Sequence, residues 1–152
     1  MREKRIKIAK GIETGNLSGL DLRGGELPVL LKGINFEGSN LSGLCLCERD
    51  LSESNLKDAI LDDVNLRGAN LQGADLSNAK ITNSYVVGAD FTGATMLGVD
   101  LTSSNMEFVI FDGADLSGCS LDNTLIKGAS FDESNLRDVD FERAISEDEL
   151  GA

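Results

Sequence analysis

The residues that could carry chemistry in this 152-residue chain are its three cysteines, its carboxylates and one glycine pair. Cys45 and Cys47 are separated by a single residue, and Cys119 stands apart from both. A structural zinc site needs a second pair of ligands, and histidine, the commonest metal ligand, is absent. The sequence therefore predicts no metal site. It leaves open whether Cys45 and Cys47 have a redox role.

The remaining candidates lack the partners that catalysis requires. Gly24-Gly25 has neither the spacing nor the lysine of a phosphate-binding loop, and no serine or cysteine can use a histidine as its base. Adjacent acids such as Asp62 and Asp63 are expected on a convex surface, where water screens them. We therefore expect no catalytic residue, no cofactor and no enzymatic activity.

Charge and hydropathy narrow the classes of partner. The net charge is -12 at pH 7, which disfavours direct binding of nucleic acid because phosphate contacts need clustered Lys and Arg. No apolar run approaches the ~18 residues of a membrane-spanning helix, and the N-terminus lacks the apolar region of a secretory signal. These features predict a cytoplasmic location without membrane contact. A chain from which a targeting peptide had been removed would have the same sequence.

The positions of the residues follow a period of five. Large apolar residues recur at every fifth position from Phe36 to Phe141, in 22 places without an exception. Two residues before each of them stands a second periodic position, and 15 of these 22 residues are small. The residue directly before the large one is most often Asn or Asp, and the residue two after it is Gly in ten cases. A period of five fits neither an α-helix nor a β-strand.

This pattern resembles the A(D/N)LXX signature of the pentapeptide-repeat family. The segment 65–76 (Asn-Leu-Arg-Gly-Ala-Asn-Leu-Gln-Gly-Ala-Asp-Leu) shows it plainly, and the match covers residues 34–143, with a degenerate start near Asn16. The resemblance implies an all-β, right-handed quadrilateral β-helix, in which four pentapeptides form one coil of 20 residues. It also implies that the large residue and the small residue two before it point inward. Gly and Asn suit the left-handed backbone that such tight turns need.

On this basis the chain is predicted to contain about 5.5 regular coils, a solenoid of 16–143 that is irregular at 27–34, and two short caps. Residues 1–15 are expected to form a helical cap, with Ile6, Ala9 and Ile12 covering the first coil. A basic membrane-surface helix would need more length and an aromatic residue. Residues 144–152 are expected to form a short cap or tail, with a capping-box pattern at 146–149.

Two inward positions depart from the small-residue pattern. Leu44 and Arg49 stand where the pattern has small residues. We expect Arg49 to reach solvent at a corner, because an unpaired buried guanidinium is costly.

A coil of 20 residues sorts the outward positions onto four faces. The neutral face is carried by Leu46, Leu66, Val86, Met106 and Ile126, and its outward charges sum to zero. Apolar side chains cluster there within three consecutive coils, which predicts either a protein-binding or self-association patch or degeneration of the repeat. The residues of this predicted patch are Tyr85, Val87, Phe108 and Leu125.

The acidic face is carried by Leu51, Leu71, Phe91, Phe111 and Phe131, and its outward charge is -6. Its acids are Asp50, Glu53, Asp90, Asp112, Asp132 and Glu133. Two functions follow as hypotheses. The first is a non-catalytic protein-interaction or structural scaffold with an unidentified partner. The second is taken from the resemblance, since some family members mimic B-form DNA and bind type II topoisomerases such as DNA gyrase. Those relatives are usually longer, dimerise through a C-terminal helical module and often carry projecting loops, which disfavours the second hypothesis here.

Overall fold

A computed structural model describes residues 1–145 of the chain as one helix followed by a stack of short parallel β contacts. Helix α1 spans Arg2–Thr14. It ends at Gly15, which adopts a left-handed backbone with φ of 69°. Glycine tolerates this conformation without strain and so allows the chain to turn from the helix into the first coil.

Helix α1 packs on the first coil through Ile8 and Gly11, both of which are buried. The close approach requires glycine at position 11, because a Cβ there would overlap the Leu17 side chain. The predicted contact face was therefore wrong in part. Ile6 is 58% exposed and Ala9 is exposed, whereas Ile12 is only partly buried against the core.

From Leu30 onward, single-residue parallel bridges join each position to the residue 20 further along the chain, from Leu30↔Asp50 to Leu125↔Ile145. On each side the backbone N–H groups of one coil donate to carbonyl groups of the next. For example, Leu46 donates to Asn65 at 2.7 Å and Glu48 donates to Arg67 at 2.9 Å. Within residues 1–145 these contacts do not extend into longer strands. The same register on four sides produces a coil of 20 residues.

The first coil is one residue shorter than the others. Its bridges, Asn16↔Asn35 and Asp21↔Asn40, join residues that are 19 apart. Leu27 is buried in the early phase and Leu31 in the later one, so the missing residue lies between them. The regular register therefore begins at Leu31, one pentapeptide before the position at which the sequence pattern becomes obvious.

The interior is a stack of large apolar side chains. The central residues from Leu31 to Leu121 are at most 1% exposed, and Phe91, Phe111 and Phe131 stack with ring centroids 5.4 and 5.2 Å apart. Burial decreases at the far end, where Phe141 is 37% exposed. The capping-box pattern predicted at 146–149 lies outside the described residues.

Polar groups at the turns explain the Asn and Asp preference. The side-chain oxygen of the residue before each large apolar one accepts the backbone N–H two residues further on, as from Arg67 to Asn65 at 3.1 Å. Buried hydroxyls also find acceptors, such as the Leu51 carbonyl for Ser54 at 2.6 Å. Such pairing is expected, because a buried polar group without a partner is costly.

Arg49 is an exception to this pairing. Its side chain is only partly exposed, and its Nε is buried without a hydrogen-bond partner among the described residues. The expectation that Arg49 reaches solvent was therefore wrong for this nitrogen. The reason is that its position replaces a small inward residue, so the stem of the side chain must enter the coil.

Candidate functional site

The register of the coils aligns two members of the predicted patch on the neutral face. Bridges join Tyr85 to Asn105 and Asn105 to Leu125, so these three residues form one column along the rod. Val87 and Phe108 lie in the two columns that follow the central residues Val86 and Met106. The 20-residue register therefore places all four patch residues on one side of the solenoid.

The patch is less uniformly exposed than the sequence suggests. Phe108 is 56% exposed and Tyr85 is 45% exposed, whereas Val87 and Leu125 are partly buried. Ile110, which is 37% exposed, begins the adjoining side two residues after Phe108 and extends the apolar surface around the corner. The face-by-face sorting missed it. The signal was present, since Ile110 occupies a column in which Asn and Asp are usual.

Phe108 has an unusual backbone for an aromatic residue. Its φ is 58°, in the left-handed region that most residues avoid. Eleven non-glycine residues in the described part share this turn conformation, and the others are Asn, Asp, Glu and Ser. The Phe108 ring lies over Gly128, because a Cβ at Gly128 would come within 2.6 Å of a ring carbon. Glycine in the next coil therefore makes room for the exposed ring.

Charges of both signs surround the apolar side chains. Arg67 and Lys127 share a column with Val87, and Glu107 lies between Val87 and Lys127 in the same column. The amide of Asn105 donates to the Glu107 carboxylate at 3.0 Å. The neutral face is therefore an apolar surface bordered by balanced charges, an arrangement typical of a protein contact.

The acidic face has the column order expected from the register, with Asp50, Asn70 and Asp90 joined by successive bridges. Because the regular register begins at Leu31, the face also includes Lys32, whose ammonium lies 3.1 Å from the Glu53 carboxylate. The interpretation that this face carries no basic residue therefore holds only from Asp50 onward. Counting Lys32, the outward charge becomes -5.

Several acids of this face are held by hydrogen bonds. The Ser52 hydroxyl and N–H both donate to Asp50 and lower the pKa of its carboxyl. Partial burial opposes the same effect at Asp90, yet bonds from Thr92 and Gln72 hold the pKa of Asp90 below its ordinary value.

The next acids along the rod differ in their contacts. Asp112 accepts bonds from the Ser130 hydroxyl and from the Asp132 N–H. Asp132 and Glu133 are exposed at the end of the face. The fixed orientation of the first acids contrasts with the solvent exposure of the last two.

Apolar exposure also occurs away from the neutral face. Leu97 is 42% exposed on the side carried by Leu76 and Met96, and Leu30 is 72% exposed at the start of the regular register. Exposure alone therefore does not identify the neutral face. Its distinguishing features are the grouping of four apolar side chains and the left-handed backbone of Phe108.

The described residues contain no group of three or more Cys, Asp or Glu side chains placed to hold a metal ion. A groove of about 350 Å³ lies beside α1, where Lys4, Arg5 and Ile8 meet Gly25 and Glu26. None of the predicted site residues lines it. In the same part of the chain, no helix has the length and apolar character needed to cross a bilayer.

Comparison with known proteins agrees with the repeat geometry. The family model for pentapeptide repeats matches residues 50–85, 69–107 and 110–145, with eight copies of the repeat. These ranges cover more than half of the chain. No curated protein sequence matches it significantly.

Solved structures share the fold. HetL, a pentapeptide-repeat protein involved in heterocyst differentiation regulation in the cyanobacterium Nostoc sp. PCC 7120, is 25% identical, with a TM-score of 0.50 over 88% of this chain and 77% of HetL. Rfr23 from the cyanobacterium Cyanothece 51142 is 22% identical, with a TM-score of 0.55 over 89% and 99% of the two chains. QnrB1, a plasmid-mediated fluoroquinolone resistance protein, is 18% identical, with a TM-score of 0.56 over 86% and 74%. These similarities support the right-handed β-helix.

Proposed function

Because the chain belongs to the pentapeptide-repeat family, we propose that it is a non-catalytic scaffold that binds a protein, or a second copy of itself, through the neutral face. The scaffold is a rigid rod of about five and a half regular coils after an irregular first coil. At an inter-strand spacing of about 4.8 Å, the regular part is roughly 26 Å long.

The observation that carries this proposal is the conformation of Phe108. A left-handed backbone costs an ordinary residue about 1–2 kcal/mol, and Asn bears it more easily. Asn78, Asn83 and Asn123 occupy equivalent turns, so an inexpensive alternative to Phe is compatible with the fold. The ring is 56% exposed and recovers only part of this cost by covering Gly128. Backbone strain of this kind is concentrated at functional sites.

The chemistry of the face limits the kind of partner. Tyr85 and Phe108 offer large apolar areas, and aromatic residues are enriched at the centres of protein interfaces. The nearby charges balance, so attraction to nucleic acid or to a highly charged surface is weak. The partner surface should therefore be apolar at its centre, with polar groups of both signs at its edge.

The proposal is tested by replacing Phe108 with Asn. We expect F108N to lose association while its unfolding free energy changes by no more than about 1 kcal/mol, because relief of the left-handed backbone offsets the lost packing. Leu97→Asn, which removes an exposed apolar side chain from another face, is the matched control and should associate normally.

Sedimentation velocity over a range of concentrations measures self-association. A photo-crosslinking amino acid at position 87, compared with one at position 97, captures other partners. Equal crosslinking from both positions, together with unchanged self-association of F108N, would refute the neutral face as the binding site.

A second candidate function is a DNA-mimicking binder of type II topoisomerase, as a protector or inhibitor of gyrase. The observation in its favour is the acidic face, on which Asp50 and Asp90 lie in one column and Asp112 and Asp132 in the next. The fold similarity to QnrB1 is compatible with it but shows the fold alone. The unbroken 20-residue register from Leu30 to Ile145 leaves no room for a projecting loop in the described residues.

A gyrase supercoiling assay separates the two candidates. If the acidic face acts, charge reversal at Asp90, Asp112 and Asp132 should abolish the effect, which should also weaken steeply with salt. F108N should retain it. If the neutral face acts, gyrase is unaffected by the unmodified chain at every salt concentration.

A further inference from the structure

Cys45 and Cys47 form a pair that the proposed binding function does not use. They flank Leu46, which is buried, and the two-residue alternation of an extended chain places both thiols on the outer side. Cys45 is exposed and Cys47 is partly buried. In the next coil the same two columns contain Asn65 and Arg67, so a thiol pair occurs at this level of the rod only.

The two sulfur atoms are in contact, with an Sγ–Sγ distance of 2.8 Å. A disulfide bond is about 2.05 Å long, so bond formation requires a movement of less than ~1 Å. Two residues of extended chain span about 6.6 Å, which lies within the range of Cα separations that disulfides bridge. The backbone can therefore hold the closed form without leaving its coil.

The surroundings give the two thiols different roles. Cys45 occupies the column in which Asn and Asp side chains accept a backbone N–H. The Cys47 thiol and then the Cys47 N–H donate to the Cys45 sulfur and lower the pKa of Cys45, with a smaller contribution from Arg49. Burial raises the pKa of the Cys47 thiol, which lies 3.9 Å from the Asn65 carbonyl oxygen. Cys45 is thus the accessible nucleophile, because the thiolate is the reactive form.

We propose that Cys45 and Cys47 are a reversible thiol–disulfide exchange site that reacts with small-molecule disulfides. The Cys45 thiolate attacks one sulfur of the disulfide RSSR, forms a mixed disulfide and releases RS⁻, which takes up a proton. The Cys47 thiolate then attacks Cys45 Sγ and releases the second RS⁻. The two cysteines lose two electrons and two protons in total, and RSSR becomes two RSH.

The site is tested by incubating the full chain with oxidised glutathione, followed by mass spectrometry of the intact protein under non-reducing conditions. We expect the product to be lighter by two hydrogen atoms, with two equivalents of reduced glutathione released, and dithiothreitol to restore both thiols. Cys47→Ser should stop at a glutathione adduct on Cys45. Cys45→Ser should react more slowly than the unmodified chain, and Cys119→Ser should behave like it.

Three outcomes would overturn the proposal. One is a stable glutathione adduct on the unmodified chain, and another is a disulfide-linked dimer in place of the internal bond. The third is a Cys45→Ser variant that reacts as fast as the unmodified chain, since that would assign the attack to Cys47. These readouts are independent of the proposed partner binding, so either proposal can fail while the other stands.

Discussion

Replacing Leu76 with Asp tests whether the central column is the source of stability. Leu76 is 0% exposed and lies between Leu56 and Met96 in the same inward column, both also 0% exposed. The matched control is Leu97→Asp, the same substitution at a side chain that is 42% exposed in the adjacent outward column. Its column neighbours, Ser77 and Ser117, are uncharged.

The expected cost at Leu76 follows from two effects. Loss of a buried Leu side chain costs about 1.5–3 kcal/mol. A carboxyl in this apolar column must stay protonated at pH 7, and protonating a group of pKa ~3.9 there costs about 4 kcal/mol. The sum is roughly 6 kcal/mol, comparable with the whole stability of a typical domain, about 5–15 kcal/mol. At Leu97 the charge stays in water and the loss is about 1 kcal/mol.

Urea unfolding followed by circular dichroism measures both variants. If Leu76→Asp does not fold, Leu76→Ala provides the measurable value, with an expected loss of about 2–5 kcal/mol. The reasoning would be refuted if Leu76→Asp or Leu76→Ala cost no more than Leu97→Asp. That result would mean that the inward and outward columns had been exchanged.

Two further predictions concern titratable groups. Cys119 is buried, its thiol donates to the Met96 carbonyl and burial raises its pKa to about 12, so a polar thiol reagent should label Cys45 and Cys47 in the native state but Cys119 only after unfolding. Equal labelling rates would contradict this. Bonds from Ser117 hold the pKa of Asp115 below its ordinary value, so the stability it contributes is present above about pH 4 and is lost as the pH falls below it. Urea unfolding at pH 7 and pH 3 should show a smaller acid loss for Asp115→Asn, which keeps the side-chain acceptor.

Much of the fold could be predicted from the sequence because one period governs both burial and turns. The apolar residue at every fifth position needed no knowledge of distant contacts, since each coil repeats the environment of the last. The first coil was harder. Its register depends on the missing residue between Leu27 and Leu31 and on the contact of α1 through Gly11, neither of which the period encodes.

The candidate sites were less predictable, because they depend on side-chain placement within a column. The sorting onto faces identified Tyr85 and Phe108 but overestimated the exposure of Val87 and Leu125. It also counted the acidic face without Lys32, because the early coil was assigned no register. For the cysteines, spacing showed that Cys45 and Cys47 share a side, but the contact between their sulfur atoms depends on rotamers.

A regular solenoid makes departures from its own pattern informative. Each outward column has a residue type with a physical reason, such as Asn or Asp accepting a turn N–H, or Gly adopting a left-handed backbone. Cys45, Phe108 and Ile110 each replace such a residue on or beside the neutral face and forgo that local benefit. Restoring the usual residue at these positions should therefore maintain or increase stability. If it removes binding or thiol exchange at the same time, the three departures are explained by function; if it lowers stability, they belong to the packing of the rod.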